Sequence, residues 1–450
     1  MKKIDEMLHT LELWLEDSRQ QPMHASVIAK LLKKIKKQDD TNFFEYLKKI
    51  PNDILGDVLL ELPEKIKDEA IEHLSAEKLG FAVEALESDD ATDLIQDIGD
   101  IDEEKSENVI ANLDEDDQDD IEKLLQYDDN QAGAYMQTEV FDAFIDESIN
   151  DAVSRLKELK SKDELENIHN VFIVDDERRL MGAVSLEDLI TLDFSTTFQS
   201  ILSSGDYQTL KADSLDLIED VAQIFEQYDL NAIPIVDWEN KLVGRITADD
   251  IIDVIEELAT DQIYNMAGVD EDTEYEEDLK MVTYKRASWL FVNLLTAIAA
   301  SLVIAIFDET LQAFIPLAIL MPIVASMGGN SGTQTLTVMV RQMALGDIDT
   351  ENAKDAVIKE IIVSFLNGLL FAFLMAIVAY IWFDNVMLGV VIGLAMIINM
   401  LTAGIFGAIV PLGLKKFGID PAVGSTVVLT TATDMIGFFA FLALAKAMLL

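Results

Sequence analysis

The stretch NVFIVDDERRLMGAVSLEDLI, residues 170–190, returns as AIPIVDWENKLVGRITADDII at residues 232–252, displaced by 62 positions without a gap. Ile173/Ile235, Val174/Val236, Asp175/Asp237, Leu180/Leu242, Gly182/Gly244, Asp188/Asp250 and Ile190/Ile252 are identical pairs. Repetition at a fixed offset is a stronger sign of architecture than any short motif. Each copy reads as strand, turn, strand, helix. Ser185 and Thr247 stand where strand becomes helix and suit an N-cap. An amphipathic helix precedes each copy, SINDAVSRLKELK (148–160) and SLDLIEDVAQIF (214–225). The expectation is an α+β tandem repeat over residues 134–260.

Residues 1–133 show helical periodicity and no strand pattern. Ile54, Leu55, Val58 and Leu59, then Phe81, Val83 and Leu86, then Leu94, Ile95 and Ile98, recur at three-to-four spacing. Breaks at Leu62-Pro63-Glu64 and at Asp89-Asp90 divide short helices. The region reads as an α-helical superhelical domain of stacked hairpins, with DEDDQDD (114–120) as a solvated helix face. The opening, MKKIDEMLHT, is polar and periodic, so no signal peptide is expected and the N-terminus is placed in the cytoplasm.

Charge and hydropathy split the chain. Residues 286–450 hold 7 Lys+Arg and 10 Asp+Glu, so residues 1–285 carry −47 of the formal net charge of −50. That acidity repels a phosphate backbone, argues against nucleic acid as a partner and favours small cations. The absence of cysteine excludes a disulfide scaffold, a thiol nucleophile and a Cys-ligated metal. His9, His24, His73 and His169 are too scattered for a histidine metal site. No nucleophile–base pairing or phosphate loop appears, so an enzyme is not expected.

Five apolar runs follow, near 287–307, 313–339, 357–382, 386–412 and 423–448. Each approaches or exceeds the about 20 residues that a helix needs to cross hydrocarbon. The pattern is a transmembrane domain of five helices over 286–450, joined to the repeats by a connecting helix, 261–285. Lys and Arg precede the first run and lie between the second and third and between the fourth and fifth. The loops around 308 and 384 hold none. The positive-inside rule puts the N-terminus in the cytoplasm and the C-terminus outside, with Lys446 snorkelling to the interface.

Polar groups at membrane depth carry function. In PIVASMGGNSGTQ (322–334), Gly328, Gly329 and Gly332 suit close packing and pore lining equally, while Asn330 and Gln334 add side-chain oxygens. In DPAVGSTVVLTTATDMIG (420–437), Asp434 lies deep in an apolar helix among Ser425, Thr426, Thr430, Thr431 and Thr433. No Lys or Arg occupies the middle of any run, and Lys446 is about 18 Å away along the axis. The missing countercharge is either a transported cation or a proton on an Asp434 bonded to Asn399 or a threonine. Asn293, Asn367 and Asn399 read as interhelical hydrogen-bonding residues. Oxygen-only ligands suit a hard cation, and Mg²⁺ keeps its waters while touching one or two carboxylates. A two-fold homodimer would bring two copies of Asp434 to one axis. The pore residues expected are Asp434, Asn330, Gln334, Thr430 and Asp420.

The motif G-x-[VI]-[ST]-x-x-D, carried by Gly182, Ser185 and Asp188 and again by Gly244, Thr247 and Asp250, resembles a tandem CBS-domain pair. The resemblance implies that Ser185, Asp188 and Thr247 face a nucleotide, ATP being the candidate, or else serve only as caps. The chain as a whole resembles the MgtE family of magnesium channels and transporters. The motifs are SDDATDL (88–94), MGGNSGTQT (327–335), DPA (420–422) and TTATD (430–434). This resemblance implies a homodimer in the inner or plasma membrane that conducts Mg²⁺ inward, with the pore on the dimer axis and Asp434 at the central ion site. It implies that cytosolic Mg²⁺ held between acidic surfaces closes the pore, and that 261–285 plugs the cytoplasmic mouth. Asp90 and Asp93, facing Asp249, Asp250, Asp253, Glu257 and Asp261, are the bridging acids expected. One departure concerns domain coupling: DNQAGAYMQTEV (129–140) stands where the family usually has a Ser-Ala-Gly-x-x-Met-Thr run. The competing reading is a proton- or sodium-coupled divalent-cation secondary transporter in which Asp434 titrates. Five spans give no even division into inverted repeats, which counts against it.

Overall fold

The computed structural model describes residues 9–15, 23–162, 165, 167–205, 207–269, 279–348 and 352–450. The first eight residues of the polar opening stretch and residues 270–278 of the expected plug segment lie outside the described residues. Two compact units divide the chain, 1–256 and 257–450.

The first unit begins with helices α1 (Ala25–Lys36), α2 (Asp40–Leu47), α3 (Asn52–Leu60), α4 (Glu64–His73), α5 (Ala76–Val83), α6 (Ser88–Ile101), α7 (Glu103–Ile110) and α8 (Glu115–Leu124). Local chemistry sets their starts. The Asp39 carboxylate accepts from Thr41 N at 2.9 Å, and Ser75 and Asp102 likewise accept from Lys78 N and Lys105 N. Pro51 and Pro63 stand immediately ahead of α3 and α4, where a missing N–H costs nothing. Leu32, Phe43, Leu47, Leu55, Leu59, Ile71, Leu79, Leu94 and Ile98 are buried in one shared core, so the helical array expected from the periodicity is present. One expected break is displaced. Asp89 and Asp90 do not interrupt helices but form the first turn of α6, where carboxylates favour the positive end of the helix dipole.

The repeat pair forms two three-stranded sheets of the same design. Strands β1 (Asp142–Phe144), β2 (Asn170–Val174) and β3 (Leu180–Ser185) make the first, and β4 (Ala212–Asp213), β5 (Ala232–Val236) and β6 (Leu242–Thr247) the second. In each, the outer short strand runs parallel to the central one and the hairpin partner antiparallel. Ile173 opposes Gly182 as Ile235 opposes Gly244, and both ladders shift register one residue later. The strands β1 and β4 were not legible as repeats of the pattern, because two or three residues carry no period. Residues 214–217, expected in helix, instead pair with their surroundings, Ser214 N donating to Val236 O at 2.9 Å, and the helix starts at Ile218.

The divergent linker is bonded to the second repeat. Ala132 N and Gly133 N donate to Asp216 O and Ser214 O, both at 2.8 Å, and Gln137 and Arg245 exchange backbone bonds of 2.7 and 2.9 Å.

From β6 the chain enters a helix, Ala248–Ala267, that ends at Gly268 with φ +69°, a left-handed turn that favours glycine. The described parts of 261–285 are therefore not one helix. Residues 261–267 finish this helix, and 279–285 begin the next. The second unit then holds long helices at Leu279–Ala305, Pro316–Ala344, Lys354–Phe383, Val386–Lys416 and Ser425–Leu449, with a short one at Asp308–Ala313. Four of the long ones are apolar enough to cross a membrane. Pro316–Ala344 is long enough at 29 residues but carries the Ser, Asn, Gln and Thr of the glycine-rich motif. Val386–Lys416 is the central helix. It forms a hairpin with Lys354–Phe383 through a tight turn at Asp384 (φ +50°) and an Asn385 cap.

Candidate functional site

Asp434 sits about 14 Å along its helix from Ser425, half-buried, with no hydrogen-bond or ion-pair partner among the described residues. The threonines around it turn their hydroxyl protons to the preceding turn: Thr430 to Thr426 O at 2.9 Å, Thr431 to Val427 O at 2.6 Å, and Thr433 to Thr430 O at 3.0 Å. That leaves their oxygen lone pairs as acceptors only. On Pro316–Ala344, Ser326, Asn330, Gln334 and Thr337 are exposed along one stripe, and Asn330 Nδ2 reaches Ser326 Oγ at 3.4 Å.

Two close approaches fix the depth of these groups. A Cβ on Gly332 would meet Leu429 at 2.6 Å, and Cβ atoms on Gly328 and Gly437 would both collide with the Asn399 amide. Gly332 packs on Leu429, and Gly328 and Gly437 flank the same Asn399 amide, so the two helices run antiparallel with Asn330 near the level of Asp434. Asp434 and Asn330 therefore share one depth. Asn399 donates to Val324 O at 2.7 Å, so it is a helix-joining residue and not the partner of Asp434.

Asp420 occupies a different setting from the pore lining expected of it. One carboxylate oxygen accepts from Ala422 N at 2.8 Å and the other from Asn265 Nδ2 at 2.9 Å. Thr426 Oγ1 donates to Met266 O at 2.8 Å, and the Trp289 ring lies 3.5–3.6 Å from the Cβ positions of Gly268 and Gly424. Residues 265–268 are thus clasped to the start of the last long helix, which follows the turn after Lys415 and Lys416 of the preceding helix.

In the first unit, α6 and the end of β6 bring acids together. Burial first, then repulsion by neighbouring carboxylates, pushes Glu87 and Asp90 up to about 7 and Asp93 up to about 6. Asp89, 7% exposed, is pushed well above the usual carboxylate range by burial and by Asp250. Asp250 is raised by burial, although it accepts from Thr247 Oγ1 at 2.6 Å and Gln137 Nε2 at 3.2 Å. The buried cation within this group is Arg245, 2% exposed, whose Nη2 is 3.8 Å from Glu87 Oε1 and whose Nε bonds Gln137 Oε1 at 3.2 Å. Asp90 and Asp93 also line a cleft of about 400 Å³ with Lys67, Gln96, Asp97 and Asp100. Of the seven bridging acids expected, Asp90, Asp93, Asp249 and Asp250 share this electrostatic neighbourhood. Asp253, Glu257 and Asp261 follow along the helix from Ala248, where burial and neighbouring acids raise Asp253 and Glu257. Among the described residues no three Asp, Glu or His side chains converge as a ready-made metal cage.

Ser185 accepts from Asp188 N at 3.0 Å and donates to Asp188 Oδ2 at 2.9 Å, a helix cap, and Thr247 is buried against Asp250. All three nucleotide candidates are engaged within their own turns. Sequence reasoning passed over Glu87, Asp89 and Arg245. The signal for Arg245 was available: a charge at the centre of an apolar strand, where the first repeat has Ala183.

Three family models match parts of the chain. The MgtE intracellular N domain matches residues 23–130, the CBS domain matches 132–194 and 204–257, and MgtE, described as a divalent cation transporter, matches 321–444. The magnesium transporter MgtE of Enterococcus faecalis is 34% identical over 316 residues, 70% of this chain and 68% of the relative. That of Thermus thermophilus is 31% identical over 333 residues, 73% and 72% of the two chains. Among solved structures, the cytosolic domain of the Mg²⁺ channel MgtE in complex with ATP superposes with a TM-score of 0.48 at 26% identity, over 54% of this chain and 93% of that one.

Proposed function

The chain belongs to the MgtE family of divalent cation transporters, and from that premise we propose that it carries Mg²⁺ into the cell through a pore on the axis of a homodimer. The observation that carries this reading is the unpartnered Asp434 carboxylate at the same depth as an exposed polar stripe. Hydrocarbon cannot satisfy such groups, so a second copy and the ion must. Two Asp434 carboxylates at about 5 Å from a divalent ion, across one water layer, would each attract it by roughly 7 kcal/mol at an effective dielectric of about 20. Asn330, Gln334 and the threonine oxygens would receive hydrogen bonds from the ion's waters, which Mg²⁺ sheds reluctantly. The protein is then a multi-pass plasma-membrane protein of five spans, its N-terminus in the cytoplasm and its C-terminus outside. Domains divide at 1–133, 134–260, 261–285 and 286–450.

Gating follows from the acidic cluster. Asp89, Asp90 and Asp250 repel one another when ionised, and Arg245 offsets only part of that charge. Cytosolic Mg²⁺ would bind there, draw the acidic surfaces together and act on the pore mouth through 261–285, whose described ends include the Asn265 and Met266 clasp. ATP at the CBS pair would be a second, independent input. A flux assay in proteoliposomes tests the whole reading. Mg²⁺ entry driven by its own gradient, unaffected by a proton gradient and abolished by Asp434→Asn, is expected. Entry that requires a proton or sodium gradient would transfer the assignment to a coupled transporter.

A further inference from the structure

Asn399 is fully buried at 0% exposure in the central helix of the membrane unit. Its Nδ2 donates to Val324 O at 2.7 Å, while its Oδ1 is buried without a partner among the described residues. The amide fits only because two neighbours have no side chain. A Cβ on Gly437 would lie 2.8 Å from Asn399 Cγ, and one on Gly328 would lie 2.7 Å from the same atom. Gly437 is one turn beyond Asp434, and Gly328 is two residues before Asn330. The amide is therefore wedged between the two helices that carry the polar groups of the ion path, at their depth, and tied to one of them.

An apolar residue of this volume would fill the slot without stranding a carbonyl oxygen in hydrocarbon, which is costly. Apolar packing between membrane helices also gains nothing from water exclusion, so small residues and a polar bond set the approach instead. We propose that Asn399 is a positioning residue for the ion path: its amide fixes the spacing and rotation of the Asp434 and Asn330 helices, and through them the fit to a hydrated Mg²⁺. The proposal rests on the reading of Asp434 as the ion site. It adds that selection among divalent ions depends on a residue the ion never touches. The hydration shells of Mg²⁺ and Ca²⁺ differ by tenths of an ångström in metal–oxygen distance, so a shift of that size in helix spacing alters which ion is preferred.

The test uses full-length protein in proteoliposomes, with Mg²⁺ and Ca²⁺ fluxes read separately and the folded, assembled fraction read by size exclusion. Asn399→Leu keeps the branched shape and removes the bond. Its Mg²⁺:Ca²⁺ flux ratio is expected to fall about threefold, the average worth of one interhelical hydrogen bond, with the folded fraction unchanged. Gly437→Ala should clash and lose flux. The double variant Asn399→Ala with Gly437→Ala relieves the clash and should recover assembly without recovering the ratio, and it carries the test should Asn399→Leu not fold. A wild-type ratio in either folded variant overturns the proposal, as does a flux loss that merely tracks lost assembly at constant ratio. Asp434→Asn is measured beside them. Normal conduction by that variant would overturn the pore reading itself, whereas its loss together with a normal Asn399→Leu would overturn the Asn399 proposal alone.

Discussion

Arg245 Nη2 lies 3.8 Å from Glu87 Oε1, joining the second repeat to the helical domain through a guanidinium that is 2% exposed. The same side chain bonds the linker at Gln137 Oε1 and the loop at Asn167 O. A buried cation with these partners is expensive to install and more expensive to lose.

Removing Arg245 alone should therefore destabilise the cytosolic part. Arg245→Met leaves Glu87 beside Asp250 without the cation, and breaking a buried pair typically costs about 3–5 kcal/mol. Thermal unfolding of the full chain in detergent should show the cytosolic transition lowered by several degrees. Arg245→Met combined with Glu87→Met should recover most of that loss, since an apolar pair of similar volume replaces the ion pair. A single variant as stable as wild type would show the contact to be incidental.

The cluster also sets a pH dependence whose sign is unusual for acids. Glu87 and Asp90 are raised to about 7 from ordinary values of 4.5 and 3.8. The folded state thus binds protons more tightly than the unfolded one. The stability these groups contribute is present below the unfolded values and is lost as pH rises through about 7. In chelator, the cytosolic transition should fall in temperature between pH 6 and pH 8. Mg²⁺ competes with those protons, so its stabilising effect and its inhibition of flux should both be stronger at pH 8. Glu87→Gln with Asp90→Asn should flatten the profile, and an unchanged profile in that variant would place the titration elsewhere.

How much of this was readable beforehand depends on whether the signal is local. The repeat was legible because eight identical pairs keep one offset, and Asp434 stood out because a carboxylate interrupts an apolar run. The strands β1 and β4 were not, having too few residues to show a period. Asp89 and Asp90 read as a break because propensity ignores the helix dipole that welcomes them. Asp420 read as a pore ligand because its partner, Asn265, is 155 residues away. Long-range partners of this kind leave no trace in spacing.

The clasp at Asn265 should carry the gating signal. Asn265→Ala removes the bond to Asp420, and Thr426→Val removes the one to Met266 O. Each bond is worth about 1 kcal/mol, or roughly fivefold in an equilibrium. Flux through either variant should need more cytosolic Mg²⁺ for half-inhibition, and through the double variant more still. Conduction at zero cytosolic Mg²⁺ should match wild type, because neither residue lies at the depth of Asp434. Inhibition curves that superpose on wild type would show that this contact does not transmit the closure.

The dimer axis can be mapped residue by residue, since the chain has no cysteine to remove. On the last long helix, Leu429, Thr433, Gly437 and Ala440 are buried against the protomer's own helices, whereas Val427, Thr431, Asp434, Met435 and Phe438 are left partly open. These five positions recur every three to four residues, one face of a helix, beside the more exposed Val428 and Phe439. On Pro316–Ala344, Ser326, Asn330, Gln334 and Thr337 form the matching open stripe. A polar stripe of this length cannot lie against lipid, and in the proposed dimer the partner subunit covers it. Single cysteines at Val427, Thr431, Met435 and Phe438 should cross-link between protomers with a short bifunctional reagent. Cysteines at Leu429, Thr433 and Ala440 should not. The exposed Leu290 and Leu302 of the first long helix serve as controls for random collision. Cross-linking at the control positions as strong as at Met435, or silence along both open stripes, would remove the pore from the dimer axis and leave Asp434 to be explained within one protomer.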